Sequence, residues 1–288
     1  MTRPDRLAVL GAGTMGTGIA SLALGHGVPV ALVETDPDRL ADAPGRVARH
    51  LRLARLMGAL PADAPADTAE NLVATDSLHG IAGSTAVIEA VTEDPVRKSD
   101  VLAKAAATVA PATPLISNTS SIPIDELAGA VPRPADVLGA HFMNPPYLIG
   151  TVEVVRGPRT GGPALEAAAH LLAALTRTPI VVRDAPGFVT SRILHPMIND
   201  AIGVVEDGTA SAEQVDSLLQ GCLGHRTGPL RTADIIGLDN LLDSLRVLHQ
   251  RTGDDGCRPR ALLEDLVRRG RLGRKTGHGF FDYGEARL

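Results

Sequence analysis

The residues best suited to proton transfer are His141 and Glu153, which lie close together in the sequence. His141 follows the apolar run at 137–140, and Glu153 interrupts a second apolar run at 151–155. A carboxylate in an apolar strand is costly unless it is paired or hydrogen-bonded. Because segment 144–150 is rich in turn-forming residues, it can fold the second run back beside the first. We predict a His–Glu pair in which the acid fixes the ring tautomer and stabilises the imidazolium, with a purely structural bond as the alternative.

A glycine-rich segment near the start of the chain has the spacing of a phosphate-binding turn. Gly11, Gly13 and Gly16 form the pattern GxGxxG, with Thr14 and Met15 inside it, and the pattern follows an apolar run and opens a helical one. The glycines permit a tight turn, close approach of backbone amides to a pyrophosphate, and close packing of helix on strand. We therefore predict that this segment binds a dinucleotide.

Glu34 ends the second predicted strand, about 20 residues beyond the glycine pattern, where an acid selects the cofactor. A carboxylate at this place accepts hydrogen bonds from the adenosine ribose and repels a 2′-phosphate. The first basic residue after it is Arg39. NAD is therefore predicted in preference to NADP. A solvated acid at a strand end is the alternative interpretation of Glu34.

Alternating strand and helix patterns position these residues. Strands are predicted at 6–10, 28–33, 86–90, 115–117, 137–140, 152–155 and 180–182, with a helix at 15–24 after the first. From the Pro-Gly pair at 186–187 onward the pattern is helical, at 188–206, 212–220, 239–251 and 260–269. This order predicts an α/β fold: a Rossmann-type, doubly wound and mostly parallel sheet at 1–184 that binds NAD, then a smaller all-α C-terminal domain at 185–288.

Composition limits the class of protein. The 288 residues are 44% hydrophobic and carry a formal net charge of −5. No apolar run reaches the ~18 residues of a membrane span, no basic stripe suggests nucleic acid, and the first residues lack the features of a secretory signal. We predict a soluble, cytoplasmic protein. Cys222 and Cys257 lack metal-ligand spacing, so neither receives a role and no metal site is predicted.

Residues Asn118, Thr119, Ser120 and Ser121 follow another predicted strand and permit two interpretations. Their side chains can donate hydrogen bonds to a substrate oxygen at the carboxyl edge of the sheet. The hydroxyls can equally cap the helix predicted at 125–130. The sequence leaves both open.

Together these motifs resemble the 3-hydroxyacyl-CoA dehydrogenase family. The matching segments occur in the family's order: Gly-Ala-Gly-Thr-Met-Gly at 11–16, Val-Ile-Glu-Ala-Val-Thr-Glu at 87–93, Asn-Thr-Ser-Ser at 118–121, His-Phe-Met-Asn-Pro at 141–145, Pro-Gly-Phe-Val at 186–189 and Gly-Arg-Lys-Thr-Gly-His-Gly-Phe at 273–280. The resemblance implies NAD-dependent oxidation of a 3-hydroxyacyl thioester. In that reaction His141 removes the C3 hydroxyl proton while hydride leaves C3, and Glu153 stabilises the resulting charge.

The resemblance also implies further contacts. Ser120 and Asn144 would hydrogen-bond the hydroxyl and carbonyl of the substrate. Glu93 and Lys98 would line the nicotinamide side of the cofactor cleft. The helical domain would form a homodimer.

Several departures from the family pattern bear on the substrate. Ser191 stands where the family usually has an asparagine that contacts substrate, and Pro146, Tyr147 and Gly150 replace small apolar and lysine residues. Segment 37–76 is short for the family's helical hairpin, which holds the coenzyme A tail. Its arginines could meet phosphates or an acidic carrier protein, or form a solvated helix face: Arg46, Arg49, Arg52 and Arg55.

These departures favour a small polar acyl group on an acyl carrier protein, with a glyceryl thioester of a polyketide extender-unit pathway as the leading candidate. The alternatives are a 3-hydroxybutyryl-CoA dehydrogenase, a gulonate- or carnitine-type dehydrogenase, and a non-enzymatic structural or NAD-sensing protein. The β-hydroxyacid dehydrogenases use a lysine in the first long helix of the second domain. The helix predicted at 188–206 contains no lysine.

Overall fold

The computed structural model describes residues 6–62, 64 and 71–284. Its contacts divide the chain into two compact units, Met1–Ala185 and Pro186–Leu288. Each unit has its own hydrophobic core. No helix in the described part of the chain has both the length and the apolar character required to cross a bilayer.

The first unit is built on an eight-stranded sheet in the order β3-β2-β1-β4-β5-β6-β7-β8. The strand order reverses at β1 and β4, which makes the sheet doubly wound. The pair β6–β7 is antiparallel, and the other pairs are parallel. The strands are β1 (Leu7–Leu10), β2 (Val30–Val33), β3 (Leu72–Thr75), β4 (Ala86–Glu89), β5 (Leu115–Ser117), β6 (Val137–His141), β7 (Thr151–Arg156) and β8 (Thr178–Arg183).

Helices cover both faces of this sheet. Every residue of β1, β2 and β4 is buried, although successive side chains in a strand point to opposite faces. Continuous apolar runs of this kind are typical of buried parallel strands. The helices of the unit are α1 (Thr14–Gly25), α2 (Pro37–Leu56), α3 (Pro95–Thr108), α4 (Ile124–Gly129) and α5 (Gly162–Ala174).

The second unit is helical, as predicted, and its core is formed by apolar side chains that include Ile198, Ile202, Leu241, Leu245 and Leu263. The predicted fold class, an α/β sheet followed by an all-α part, is therefore confirmed. The helices of this unit are α6 (Thr190–Glu206), α7 (Ala212–Leu223), α8 (Pro229–Ile236), α9 (Leu238–Thr252) and α10 (Ala261–Arg268).

The sequence patterns give no range for several elements, among them β3 and α8. Strand β3 lies at the edge of the sheet and its residues are partly exposed, so it lacks the continuous apolar pattern of the central strands. Helix α8 spans only 8 residues and begins with a proline, which on sequence grounds indicates a loop.

A buried acid explains the glycine-rich motif at 273–280 within the helical unit. Asp234 is 1% exposed. Its carboxylate accepts hydrogen bonds from the backbone N–H groups of Phe280 and Phe281 and from the Tyr283 hydroxyl, each at 3.0 Å. A Cβ on Gly279 would lie 1.9 Å from the carboxylate. The motif therefore joins the end of the described chain to α8.

We expect Asp234→Asn to lower the free energy of unfolding by about 3 kcal/mol. The amide NH2 group would take the place of a carboxylate oxygen and would face buried N–H and O–H donors, which then lose their acceptor. Urea denaturation followed by circular dichroism measures the change. Asp282→Asn, at a side chain that is 72% exposed, is the matched control and should change stability little. Equal stability of the two variants would show that Asp234 does not hold the motif in place.

Candidate active site

His141 and Glu153 face one another on neighbouring antiparallel strands. They are register partners between β6 and β7, and His141 Nδ1 lies 3.1 Å from Glu153 Oε2. Both residues are buried. Because a carboxylate only accepts hydrogen bonds, Nδ1 carries the proton in this pair and Nε2 is the ring nitrogen that carries the lone pair in neutral histidine. The pair therefore has the arrangement of a general base with an orienting acid.

The turn between these strands packs into the interior of the first unit. Pro146 and Tyr147 are buried, and Tyr147 belongs to the hydrophobic core. A Cβ on Gly18 of α1 would lie 3.0 Å from Pro146 Cδ, and the Tyr147 ring lies 5.7 Å from the His50 ring on α2. Packing against the two helices accounts for Pro146 and Tyr147. At the start of the turn Asn144 is exposed, and its peptide bond to Pro145 is cis.

The segment after β5 binds backbone and acid groups of its neighbours. Asn118 Oδ1 accepts from the Phe142 N–H at 2.9 Å, which joins the end of β5 to the residue after His141. Thr119 Oγ1 accepts from the Ile122 N–H at 3.0 Å and donates to Glu93. The Ser120 N–H donates to Glu93 Oε1 at 3.0 Å.

The capping interpretation of these hydroxyls is wrong for α4. This helix lies wholly in the described part of the chain and begins after Pro123, which supplies no side-chain cap; the Asp125 N–H in its first turn donates to Asp184 Oδ2 at 2.8 Å. The Thr119 hydroxyl instead stabilises the turn that precedes the helix.

A buried charge cluster, formed by Glu89, Lys98 and Glu93, lies beside this segment. Lys98 Nζ is 2.8 Å from Glu89 Oε1 and 3.2 Å from Glu93 Oε2. The Lys98 and Glu89 side chains are 1% and 0% exposed, whereas that of Glu93 is 37% exposed. Glu89 also accepts from the Val91 N–H at 2.7 Å and from Ser117 Oγ at 2.6 Å. The cluster thus links the ends of β4 and β5 to the first turns of α3.

The pKa values in the cluster follow from its geometry. Burial acts to raise the pKa of Glu93, but the Lys98 ammonium and the hydrogen bonds from Thr119 and Ser120 outweigh it and lower that pKa. Burial acts to lower the pKa of Lys98, but the carboxylates of Glu89 and Glu93 outweigh it and raise that pKa. Both groups are therefore ionised at neutral pH.

Glu89 is the residue that the sequence prediction missed. It interrupts the apolar segment Val-Ile-Glu-Ala-Val at 87–91, which is the same signal that singled out Glu153. An unpaired buried carboxylate is costly, so a glutamate in this apolar segment indicates a cationic partner nearby.

The glycine turn has the shape that a pyrophosphate requires. Gly11 has a φ of +100°, and a Cβ there would lie 2.8 Å from the Ala90 carbonyl oxygen. A Cβ on Gly16 would lie 1.8 Å from the Gly11 carbonyl oxygen, whereas Gly13 faces open space. Helix α1, fully within the described residues, has no side-chain cap at Gly13. Its first N–H groups are therefore placed to bind phosphate oxygens.

Glu34 lies beside the glycine turn at the end of β2. Its carboxylate accepts from the Ala12 N–H at 2.9 Å and from the Thr35 N–H at 2.8 Å. Arg46 Nη1 donates to the Ala12 carbonyl oxygen at 3.0 Å, which places this arginine against the turn. Arg49, Arg52 and Arg55 are exposed on α2. The turn, the uncapped helix and the acid together fit the adenosine and pyrophosphate parts of NAD.

The remaining predicted site residue, Ser191, lies in the first turn of α6 in the helical unit. Its side chain is buried, with the residue 3% exposed.

Comparison with known proteins identifies the family. Residues 6–185 match the model of the 3-hydroxyacyl-CoA dehydrogenase, NAD binding domain, and residues 187–283 match that of the 3-hydroxyacyl-CoA dehydrogenase, C-terminal domain. The chain is 40% identical over 278 residues to a probable 3-hydroxybutyryl-CoA dehydrogenase of Deinococcus radiodurans, covering 96% of this chain and 100% of that protein. It is 37% identical over 278 residues to the 3-hydroxybutyryl-CoA dehydrogenase of Bradyrhizobium diazoefficiens, covering 96% of this chain and 95% of that protein.

A solved structure agrees with these relatives. The (S)-3-hydroxybutyryl-CoA dehydrogenase of Ralstonia eutropha superposes with a TM-score of 0.87 at 35% identity, covering 98% of this chain and 100% of that one. The predicted family and the predicted cofactor, NAD, are confirmed by these matches. The chain belongs to the 3-hydroxyacyl-CoA dehydrogenase family of NAD-dependent oxidoreductases.

Proposed function

We propose that this enzyme interconverts a short 3-hydroxyacyl-CoA and the corresponding 3-oxoacyl-CoA, with a four-carbon acyl group as the preferred substrate. The observation that carries the proposal is the buried pair of His141 and Glu153, at the same sheet edge as the cofactor-binding features. Relatives that match over almost their whole length are named 3-hydroxybutyryl-CoA dehydrogenases, which supports the choice of acyl group and carrier.

The geometry of the pair assigns a role to each member. With the Nδ1 proton directed at Glu153, Nε2 of His141 accepts the C3 hydroxyl proton of the substrate. NAD, when bound, supplies the acceptor for the hydride that leaves C3. The Glu153 carboxylate stabilises the imidazolium that proton uptake creates, and burial of both groups strengthens this interaction.

Substrate and cofactor contacts are proposed for the remaining site residues. Ser120, whose N–H is bonded to Glu93, and Asn144, which is exposed, would bind the hydroxyl and carbonyl oxygens of the substrate. Glu93 would face the nicotinamide part of the cofactor. Lys98 is 1% exposed, so it would act through Glu93 instead of touching the cofactor.

The carrier is proposed to be coenzyme A. The exposed arginines of α2 suit phosphate groups as well as an acidic carrier protein. Pro146 and Tyr147, two of the departures that favour a carrier-bound glyceryl group, are accounted for by packing in the core. Ser191 in place of asparagine, Gly150 and the short segment 37–76 remain the observations in favour of the glyceryl thioester, which stays a second candidate.

A substrate panel tests the proposal. We expect the enzyme to oxidise 3-hydroxybutyryl-CoA faster than it oxidises 3-hydroxybutyryl or glyceryl thioesters on acyl carrier protein, and faster than free gulonate or carnitine. The absorbance of NADH measures each rate. His141→Gln should lower kcat by about a thousandfold, because the base is lost. His170→Gln, at an exposed position on α5, is the control. Faster turnover of the carrier-bound glyceryl group would reverse the assignment, and no turnover of any substrate would favour a non-enzymatic role.

The orienting acid gives a second prediction. Glu153→Gln should lower kcat by roughly 100- to 10,000-fold while KM for NAD stays near its native value, because the amide neither holds the required tautomer nor stabilises the imidazolium. Steady-state kinetics in both substrates measure the split. Glu166→Gln, at an exposed position on α5, should behave as the native enzyme. A native kcat for Glu153→Gln would leave the His–Glu bond with a structural role only.

A homodimer formed through the helical unit is also proposed. Large apolar side chains are exposed on α6 and α7, among them Ile193 at 65%, Leu218 at 56% and Leu223 at 67%. Burial of such a surface against a second copy would release ordered water and stabilise the pair.

We expect the native chain to have the mass of a dimer in light scattering, and Ile193→Asp to have that of a monomer, because a charge would be buried at the interface. Ile180→Asp, at a 55% exposed position on β8 of the other unit, should remain dimeric. If Ile193→Asp is dimeric, the interface does not include this face of α6.

A further inference from the structure

We propose that the buried charge cluster of Glu89, Lys98 and Glu93 favours the oxidised, positively charged nicotinamide over the reduced, neutral ring, and so sets the ratio of NAD+ to NADH affinity. The inference rests on the proposed function, in which the cofactor and the His141 base share one site. The cluster would thus have an electrostatic role in addition to its structural role of linking the ends of β4 and β5 to α3.

The strand order places the nicotinamide at the cluster. The pyrophosphate is bound where β1 meets α1, and the substrate hydroxyl lies at His141, the last residue of β6. Hydride transfer requires the nicotinamide to lie next to the substrate C3. Strands β4 and β5 lie between β1 and β6, so the ring must cover their carboxyl ends. Glu89 and Ser117 are the last residues of those two strands.

The contacts of the cluster agree with this placement. Lys98 Nζ donates to the Val91 carbonyl oxygen at 3.2 Å. The neighbouring Ala90 carbonyl oxygen is the atom that a Cβ on Gly11 would meet at 2.8 Å, so the loop that holds the cluster abuts the glycine turn. Glu93 is the most exposed of the three side chains. Its carboxylate is therefore the charge of the cluster that acts most directly on the cofactor.

Two carboxylates and one ammonium leave the cluster with one net negative charge. Glu89 receives donors from Val91, Lys98 and Ser117, a set that suits a carboxylate acting only as an acceptor. The lowered pKa of Glu93 and the raised pKa of Lys98 keep those two groups charged as well. One unit charge at roughly 7 Å, at an effective dielectric of about 20 to 40, changes the relative affinity for a cationic and a neutral ring by roughly tenfold or more.

Two substitutions of opposite electrostatic sign test the inference. Glu93→Gln removes a negative charge and should raise the ratio Kd(NAD+)/Kd(NADH) by about tenfold. Lys98→Met removes the positive charge and should lower the same ratio by a smaller factor, because the buried Lys98 is farther from the ring than Glu93 is. Kd for NADH is measured from the change in fluorescence of the reduced ring on binding. Kd for NAD+ is measured by displacement of NADH.

Two control variants separate charge from packing. Glu93→Asp alters the hydrogen bonds of the cluster but keeps its charge, so the ratio should stay near the native value. Lys104→Met removes a lysine from the same helix α3, where it pairs with Asp100 at 2.6 Å and is 61% exposed. Solvent and salt screen that pair, so the ratio should again be unchanged.

Opposite shifts in Glu93→Gln and Lys98→Met, with native ratios in both controls, would support the inference. Shifts in one direction, as a loosened site would produce, or unchanged ratios would overturn it. If Lys98→Met does not fold, the comparison of Glu93→Gln with Glu93→Asp decides alone. All Kd values are measured without substrate, so failure of the proposed function would be seen separately, as absent turnover of 3-hydroxyacyl-CoA.

Discussion

The active-site edge of the sheet depends on the burial of one carboxylate, that of Glu89 at the end of β4. Taking an ionised carboxylate out of water costs several kcal/mol, so its neighbours must supply donors in fixed positions. Lys98, Ser117 and the Val91 N–H do so. Meeting that single requirement fixes the loop after β4 against the glycine turn and orients Lys98 toward Glu93. Glu93 then holds the segment after β5, which in turn is bonded to the residue next to His141.

The same physical rule acts at two further places in the molecule. Glu153 lies in β7 opposite His141, and Asp234 accepts three hydrogen bonds from residues 280–283, at the end of the motif at 273–280 and just after it. Each buried acid joins separate elements of the fold, and each would be destabilising if its partners moved away. A buried acid of this kind gives specificity to the fold, because alternative packings would leave it without donors.

The sequence predicted those parts of the structure that a local pattern of residues marks. The central strands, the glycine turn, Glu34 and His141 were predictable because each is marked by a local pattern: a continuous apolar run, or a polar residue at the end of one. Strand β3 and helix α8 were not, because an exposed edge strand and a short helix that begins with proline lack those patterns. Pro146 and Tyr147 suggested an altered substrate loop, since the sequence alone does not reveal that Gly18 and His50 pack against them.

The packing of Pro146 and Tyr147 onto α1 and α2 has a consequence for how this enzyme can evolve. The turn that joins the two strands of the His–Glu pair shares its interior with the helix that begins at the phosphate-binding glycines. A Cβ at residue 18 would approach Pro146 Cδ to 3.0 Å, so a side chain there requires the turn to shift by a few tenths of an ångström. The substitutions that the turn can accept therefore depend on the residues at 18 and 50. Substitutions in this turn and in the two helices that it contacts are thus expected to be epistatic.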